Sequence, residues 1–246
     1  MSTSPDRSPR SLRVLLVGTG GVGAPAAIAL AEAGLGKLVI ADEDTVELEN
    51  LHRQLLFEET DLGVSKPDAA RRALRERRPS MDIEVFRGRA LPDTARGLVG
   101  MADAVIDATD NFPSRFLLAD ACRLAGVPVV HAAAVRWVGT ATCSAGRGAP
   151  CYRCLFEDLP ASAPDCQTAG IVGPVCGVIG AIAAEMALCA AAGEARLVGK
   201  IATFDGLRDE LRLIDVPKRA SCPLCGIEPT IHDLDETRYI GAPCAA

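Results

Sequence analysis

The chain lacks any surplus of positive charge. Its formal net charge of -6 and sequence pI near 5.2 argue against nucleic acid or an anionic membrane as its main partner. Lysine is scarce: four of the 26 basic residues are Lys, and the rest are Arg, which favours forked contacts with phosphates and carboxylates. Nothing in the opening MSTSPDRSPRS resembles the apolar core of a secretory signal. Long apolar runs are missing as well. The most apolar stretch, residues 171–192, is broken by Pro174, Gly177, Gly180 and Glu185, so it reads as a buried helix and not a membrane span. The three histidines, His52, His131 and His232, share no spacing for a metal or a triad and read as structural. Without an export signal, the ten cysteines point to reduced thiols and metal ligands in a cytoplasmic protein before disulfides.

What is present begins with residues 14–25, VLLVGTGGVGAP, an apolar run that meets glycines and then an alanine-rich helical pattern. Gly18, Gly20 and Gly23 stand in a G-x-G-x-x-G spacing with Gly21 between them. Such glycines let the backbone turn sharply and lie close to a phosphate, while free N–H groups at the next helix start point at the anion. Dinucleotide-binding and ATP-using folds share this spacing, so its meaning depends on the residues downstream. A second strand, residues 38–41, ends in Asp42, where a carboxylate can hold a ribose hydroxyl; the plain alternative is a solvated strand end. The polar segment 45–54 is longer than a βα turn needs. A second helix is predicted from Ser65 to Arg78, with Pro67 in its first turn and Asp68 placed for a capping contact. Lys66 sits at its positive end, an unfavourable place for a cation unless an anion stands in front of it.

Strands are predicted at 83–86, 104–106 and 126–132, with helices at 94–101 and 112–125 between them. The fourth strand runs into Asp107-Ala108-Thr109-Asp110-Asn111, carboxylates at a sheet edge suited to Mg²⁺, with a helix cap as the alternative for one of them. The βαβαβαβαβ order predicts an α/β fold, a Rossmann-like, doubly wound, mainly parallel sheet. Residues 137–144, 201–204 and 210–216 extend it with antiparallel strands. Two C-x-x-C knuckles lie in this later half: Cys151 with Cys154, and Cys222 with Cys225. Four thiolates make a closed tetrahedral zinc site of structural type, favoured over a disulfide or a redox pair. One domain spanning 1–246 is expected, with 1–11 mobile, 12–135 binding nucleotide, and 136–246 carrying the zinc knuckles and the carrier-binding surface.

In order along the chain stand G-T-G-G-V-G, A-D-E-D-T-V-E-L-E-N-L-H-R-Q, G-V-S-K-P, D-A-T-D-N, C-Y-R-C, D-C-Q-T-A-G and C-P-L-C-G. The ordered set resembles the ThiF/MoeB/HesA family of ubiquitin-activating-like adenylyltransferases. That resemblance implies a homodimer that binds Mg·ATP instead of NAD and adenylates a ubiquitin-like sulfur-carrier protein ending in Gly-Gly. It places Gly18, Gly20, Gly21 and Gly23 around the ATP phosphates and Asp42, with Asp44 near it, on the ribose side. Asn50, Arg53, Gln54 and Lys66 would face the phosphates, and Asp110 would position Mg²⁺ and the nucleotide beside Asn111. Arg53, Lys66 and Asp110 are then the catalytic set, neutralising charge as a carboxylate attacks the α-phosphate. Cys166 stands where family members often carry a cysteine that can bond to the activated carrier.

Two departures stand out. Only about eleven residues precede the first strand, so the family's N-terminal arginine has only Arg7 or Arg10 to replace it. No appended rhodanese domain is recognised, so sulfur is expected from a separate donor. Adenylation of a peptide C-terminus, an NAD-dependent oxidoreductase and a silent carrier-binding module are the competing readings. The oxidoreductase leaves Arg53, Lys66 and the D-A-T-D-N edge poorly explained.

Overall fold

The computed structural model describes residues 7–148, 150–159 and 170–240, so Cys166 lies outside the described residues. The chain alternates β1 (Arg13–Val17), α1 (Gly23–Glu32), β2 (Lys37–Asp42), α2 (Lys66–Arg77), β3 (Asp82–Arg87), α3 (Pro92–Gly100), β4 (Ala104–Asp107), α4 (Phe112–Ala125) and β5 (Val129–Val135). After β5 come β6 (Val138–Ser144), the short α5 (Tyr152–Leu155), α6 (Gly173–Ala191), β7 (Lys200–Asp205) and β8 (Glu210–Asp215). One sheet of eight strands results, ordered β3-β2-β1-β4-β5-β6-β7-β8. The first five strands pair in parallel and the last three join antiparallel, as the sequence pattern predicts.

The order reverses direction between β1 and β4, and in open α/β sheets ligands bind in the crevice outside the strand ends at such a point. The glycine loop leaves β1 there and D-A-T-D-N leaves β4. β1, β2 and β4 are almost continuously buried because helices cover both faces of the sheet, and this explains their unbroken Val, Leu and Ile runs. One core layer packs α1, α2 and α6 on one face; the other packs α3 and α4 on the opposite face.

α6 is long and apolar enough to cross a membrane by length and composition alone, yet more than half of it is buried. It packs on α1 and on β1, β4, β5, β6 and β7, which accounts for its apolar character. Close approach is made by glycine. A Cβ on Gly180 would stand 2.7 Å from Val22 O in the turn before α1, and one on Gly139 would stand 2.2 Å from Ile179 Cγ1.

Several local expectations hold. Gly34 ends α1 at φ +81°, and Asn111 Oδ1 accepts the Ser114 N–H as the N-cap of α4. Asp68 differs. Instead of capping α2, its carboxylate takes a two-pronged contact from Arg87 (2.6 and 2.7 Å) and another from Arg71 (2.9 Å), because β3 brings the stronger donor within reach. Residues 7–11 hold a 3-10 turn, Pro9–Ser11, and Arg7 pairs with Asp103 beside the start of β1, at the sheet edge opposite the glycine loop.

Candidate functional site

The glycine loop is built by close backbone approach. Gly18 has φ +87°, and a Cβ there would lie 2.9 Å from Ala108 O, so the turn after β4 rests directly on the turn after β1. Gly23 is constrained further: a Cβ would lie 1.9 Å from Gly18 O. Because the obstacle is backbone, Gly23→Ala is expected to destabilise by about 3 kcal/mol or more, the upper end of overpacking costs. Urea denaturation measures this, and a change below about 1 kcal/mol would show that the loop can relax.

Thr19, next in the loop, donates both its N–H and its hydroxyl to Asp42 Oδ2, each at 2.7 Å, while Asp42 Oδ1 accepts the Asp44 N–H at 3.0 Å. The carboxylate expected on the ribose therefore also ties the ends of β1 and β2 together. Segment 45–54 folds over the loop. A Cβ on Gly21 would lie 3.3 Å from Arg53 Cδ, and one on Gly20 3.8 Å from Gln54 Nε2. Arg53 donates to Asn50 Oδ1 at 2.7 Å, and Asn50 in turn donates to Glu47 at 3.1 Å. Gln54 is buried, with its Oε1 unpartnered among the described residues, an acceptor beside the cradle. Lys66 is buried too, at 5% exposure, and its ammonium donates to Asp44 Oδ2 at 2.7 Å. The anion that Lys66 requires at the positive end of α2 is thus Asp44, itself mostly exposed.

Across the crevice, Asp107 is fully buried. Its Oδ1 accepts the N–H (3.0 Å) and hydroxyl (2.6 Å) of Thr109, and its Oδ2 lies 2.7 Å from His131 Nδ1. Burial pushes the Asp107 carboxyl up, but the His131 hydrogen bond and the Arg115 charge outweigh it and hold the group below its ordinary value. Asp110, at the tip of the turn, is exposed and makes no hydrogen bond or ion pair among the described residues. Its free carboxylate oxygens could ligate Mg²⁺. Asn111 spends its side-chain oxygen on the α4 cap.

The structure thus gathers Gly18, Gly20, Gly21, Gly23, Arg53 and Gln54 around one cradle, with Asp42 and Asp44 linking it to Lys66 and with Asp110 on the adjoining turn. Sequence reasoning missed the Asp107–His131 pair. Its one signal is that Asp107 ends β4 and His131 lies in the next parallel strand, where β4 and β5 pair the two in register. Cys176, on α6, lies buried beneath the cradle, with its Sγ 3.2 Å from a Cβ built on Gly21. Burial pushes its thiol up to about 11, which leaves it a weak nucleophile at neutral pH.

The knuckles converge as expected. The Sγ atoms of Cys151, Cys154, Cys222 and Cys225 all lie within 4.8 Å of one another, with Cys151 and Cys222 at 3.5 Å and Cys154 and Cys225 at 3.4 Å. Zinc–thiolate bonds of about 2.3 Å in a tetrahedron set sulfurs about 3.8 Å apart, so the donor set fits a closed structural site. Gly226 permits the second knuckle, since a Cβ there would lie 2.4 Å from Ala220 O. The intervening Tyr152 and Arg153 anchor the first. Arg153 is buried, grips Asp120 through two bonds of 2.7 and 2.9 Å, and lies 4.7 Å over the Phe116 ring. Tyr239 donates to the same Asp120 at 2.9 Å and brings the segment after the second knuckle onto α4. Tyr152 stacks on His131 with ring centroids 4.3 Å apart.

Over residues 7–224 the sequence matches the profile of the ThiF family. The chain belongs to that family. It is 38% identical over 234 residues to the SAMP-activating enzyme E1 of Haloferax volcanii, covering 94% of this chain and 86% of that protein. It is 40% identical over 233 residues to the adenylyltransferase and sulfurtransferase MOCS3 of Anopheles gambiae, covering 93% of this ThiF-family chain and 53% of MOCS3. The chain therefore spans about half the length of that second relative. The crystal structure of Escherichia coli MccB with ATP superposes with a TM-score of 0.73 at 21% identity, over 89% of this chain and 67% of MccB, a likeness of fold.

Proposed function

We propose that this ThiF-family chain uses Mg·ATP to adenylate the C-terminal glycine of a small ubiquitin-like sulfur-carrier protein, which a separate sulfur donor then converts to a thiocarboxylate. The observation that carries the reading is the buried Lys66 ammonium, held by Asp44 and linked by the Asp42 carboxylate to a backbone cradle that already holds Arg53 and the unpartnered Gln54. A dinucleotide site has no use for this density of cation; a triphosphate does.

In the proposed reaction the carrier carboxylate attacks the α-phosphate and pyrophosphate leaves. The backbone of Gly18 to Gly23 receives the phosphates at the start of α1. Lys66 and Arg53 offset the charge that develops on the leaving group. Asp110 would hold Mg²⁺, and the ion would supply further neutralisation and order the phosphates. Asp42 and Asp44 keep the cradle and the lysine in place. The cluster of four cysteines would hold zinc as a staple, with no open position for chemistry.

The carrier's approach has support as well. Strand register places Val135, Val138 and Ile214 on the sheet face opposite α6, where they are 38%, 43% and 51% exposed. The same face carries Thr140, Thr203, Asp205, Glu210 and Arg212, and a mixed, exposed surface of this kind suits a small globular carrier whose flexible tail must reach the phosphate. Residues 12–135 and 136–246 then work as one unit, with nucleotide on the first half and carrier on the second. Exposed Pro174, Val178 and Ala181 recur at helical spacing on α6 and offer an apolar stripe to a second copy in a homodimer. A cytoplasmic setting keeps the thiols reduced.

The deciding assay incubates the purified protein with Mg·ATP and candidate carriers and follows intact mass and pyrophosphate exchange. Carrier adenylate is the expected product. Peptides ending in a free carboxylate form a parallel arm, and exchange with peptides alone would transfer the reading to peptide adenylation. Absence of exchange with every carrier and peptide would sink it.

A further inference from the structure

His131 is buried at 2% exposure on β5, yet only one of its two ring nitrogens has a partner. Nδ1 meets Asp107; Nε2 is enclosed and makes no hydrogen bond among the described residues. A polar ring so placed is a poor filler of space, and its one bond goes to the residue that shapes the turn after β4.

That turn is fixed from three sides. Asp107 Oδ1 accepts the N–H and hydroxyl of Thr109, Arg115 donates to the carbonyls of Thr109 and Ala132, and Gly18 packs against Ala108. Asp110 follows Thr109 directly, so its place depends on how the Asp107 carboxylate is turned. Among the described residues His131 Nδ1 is the one hydrogen-bond donor to Oδ2. The ionised carboxylate accepts, so Nδ1 carries the proton and the imidazole is fixed as that tautomer. Behind it, the ring is backed by Tyr152 from the first cysteine knuckle, which Arg153 pins to Asp120 on α4.

We infer that His131 is a positioning residue for adenylation at this site: it holds Asp107, and through it the turn that presents Asp110. The inference rests on the adenylating reading above. It also gives the knuckle a mechanical connection to the nucleotide edge, running from Tyr152 through His131 and Asp107 to the Thr109 turn.

The test first establishes Mg·ATP-dependent pyrophosphate exchange in the wild-type protein and then compares His131→Phe, His131→Asn and Asp107→Asn. Phenylalanine keeps the stack on Tyr152 but removes the donor; asparagine places an amide N–H near the Nδ1 position. Misplacement of a reacting group by about 1 Å can lower rates about 100-fold, so His131→Phe is expected to lose about 10- to 100-fold in kcat with metal content retained, and to melt at a lower temperature because a buried carboxylate oxygen loses its donor. His131→Asn should recover most of that loss. The double variant His131→Phe with Asp107→Asn should be no worse than the poorer single one, because both act through one contact. Wild-type kcat in His131→Phe would overturn the inference.

A second measurement needs no variant. With only three histidines in the chain, ¹⁵N spectra of the histidine-labelled protein resolve His131, and the expected form is protonated at Nδ1 and shifts when Mg·ATP is added. A proton on Nε2 alone would overturn the inference even if His131→Phe failed to fold. Wild-type protein without exchange would sink the adenylating reading instead, and the NMR arm would still decide whether His131 holds Asp107.

Discussion

Lys66→Ala should abolish most adenylation while leaving the protein folded. Removing one preorganised charge from a site where transition-state charge develops costs about 100- to 1,000-fold in kcat, and Lys66 is the most deeply buried cation in the cradle. Its ion-pair partner Asp44 is 61% exposed, so the carboxylate left behind returns to water and the stability loss should stay within about 1–2 kcal/mol. Steady-state pyrophosphate exchange and a thermal melt on the same preparation separate the two effects. The carrier should still bind, because Lys66 lies on the nucleotide side of the sheet edge. Activity within about threefold of wild type would remove Lys66 from the charge-neutralising set and leave the nucleotide reading without its main support.

Metal removal is expected to act on stability before it acts on chemistry. Native mass spectrometry should find one zinc ion per chain. A strong chelator should strip it and lower the melting temperature by about 10–20 °C, the equivalent of about 5 kcal/mol at about 2–4 °C per kcal/mol for a domain of this size. That is a fraction of the about 10–16 kcal/mol by which zinc organises isolated finger peptides, because here a large core persists without it. Cys154→Ser combined with Cys225→Ser should reproduce the chelated melt. A chain that purifies without metal and melts at the same temperature before and after chelation would show that the four thiols suffice by themselves.

Much of this architecture was legible in the residues because the signals are local. The apolar runs of β1, β2 and β4 stop at glycine or aspartate, and α4 lies at 112–125, bounded by Asn111 as its cap and by Gly126 at φ +75°. α6 was recognisable by its length and broken apolar run, although its faces carry no clear periodic pattern because its exposed side, with Pro174, Val178 and Ala181, is also largely apolar. The charge conflict at Lys66 was visible, but its resolution by Asp44, 22 positions earlier, was not. Pairings of this kind depend on strand register and on which loops end side by side. Asp68 illustrates the point: its position in the first turn of α2 suggested a cap, and β3 delivered Arg87 to it instead. The network of Asp120, Arg153 and Tyr239 joins positions up to 119 apart, and no window of sequence contains it.

The two cysteine knuckles lie 71 positions apart, and this spacing orders events during synthesis. The glycine loop, Lys66 and the Asp107 turn are all translated before Cys151, so the nucleotide edge can assemble while the chain is still being made. A nascent chain ending before Cys222 has two of its four thiolates and cannot close a tetrahedral site. Metal capture at this site would therefore wait for the second knuckle, and it would lock in one step a loop whose ends diffusion alone would have to hold together. An ion held by these four thiolates would serve as a completion mark, present only on molecules in which the whole sheet from β3 to β8 has been synthesised.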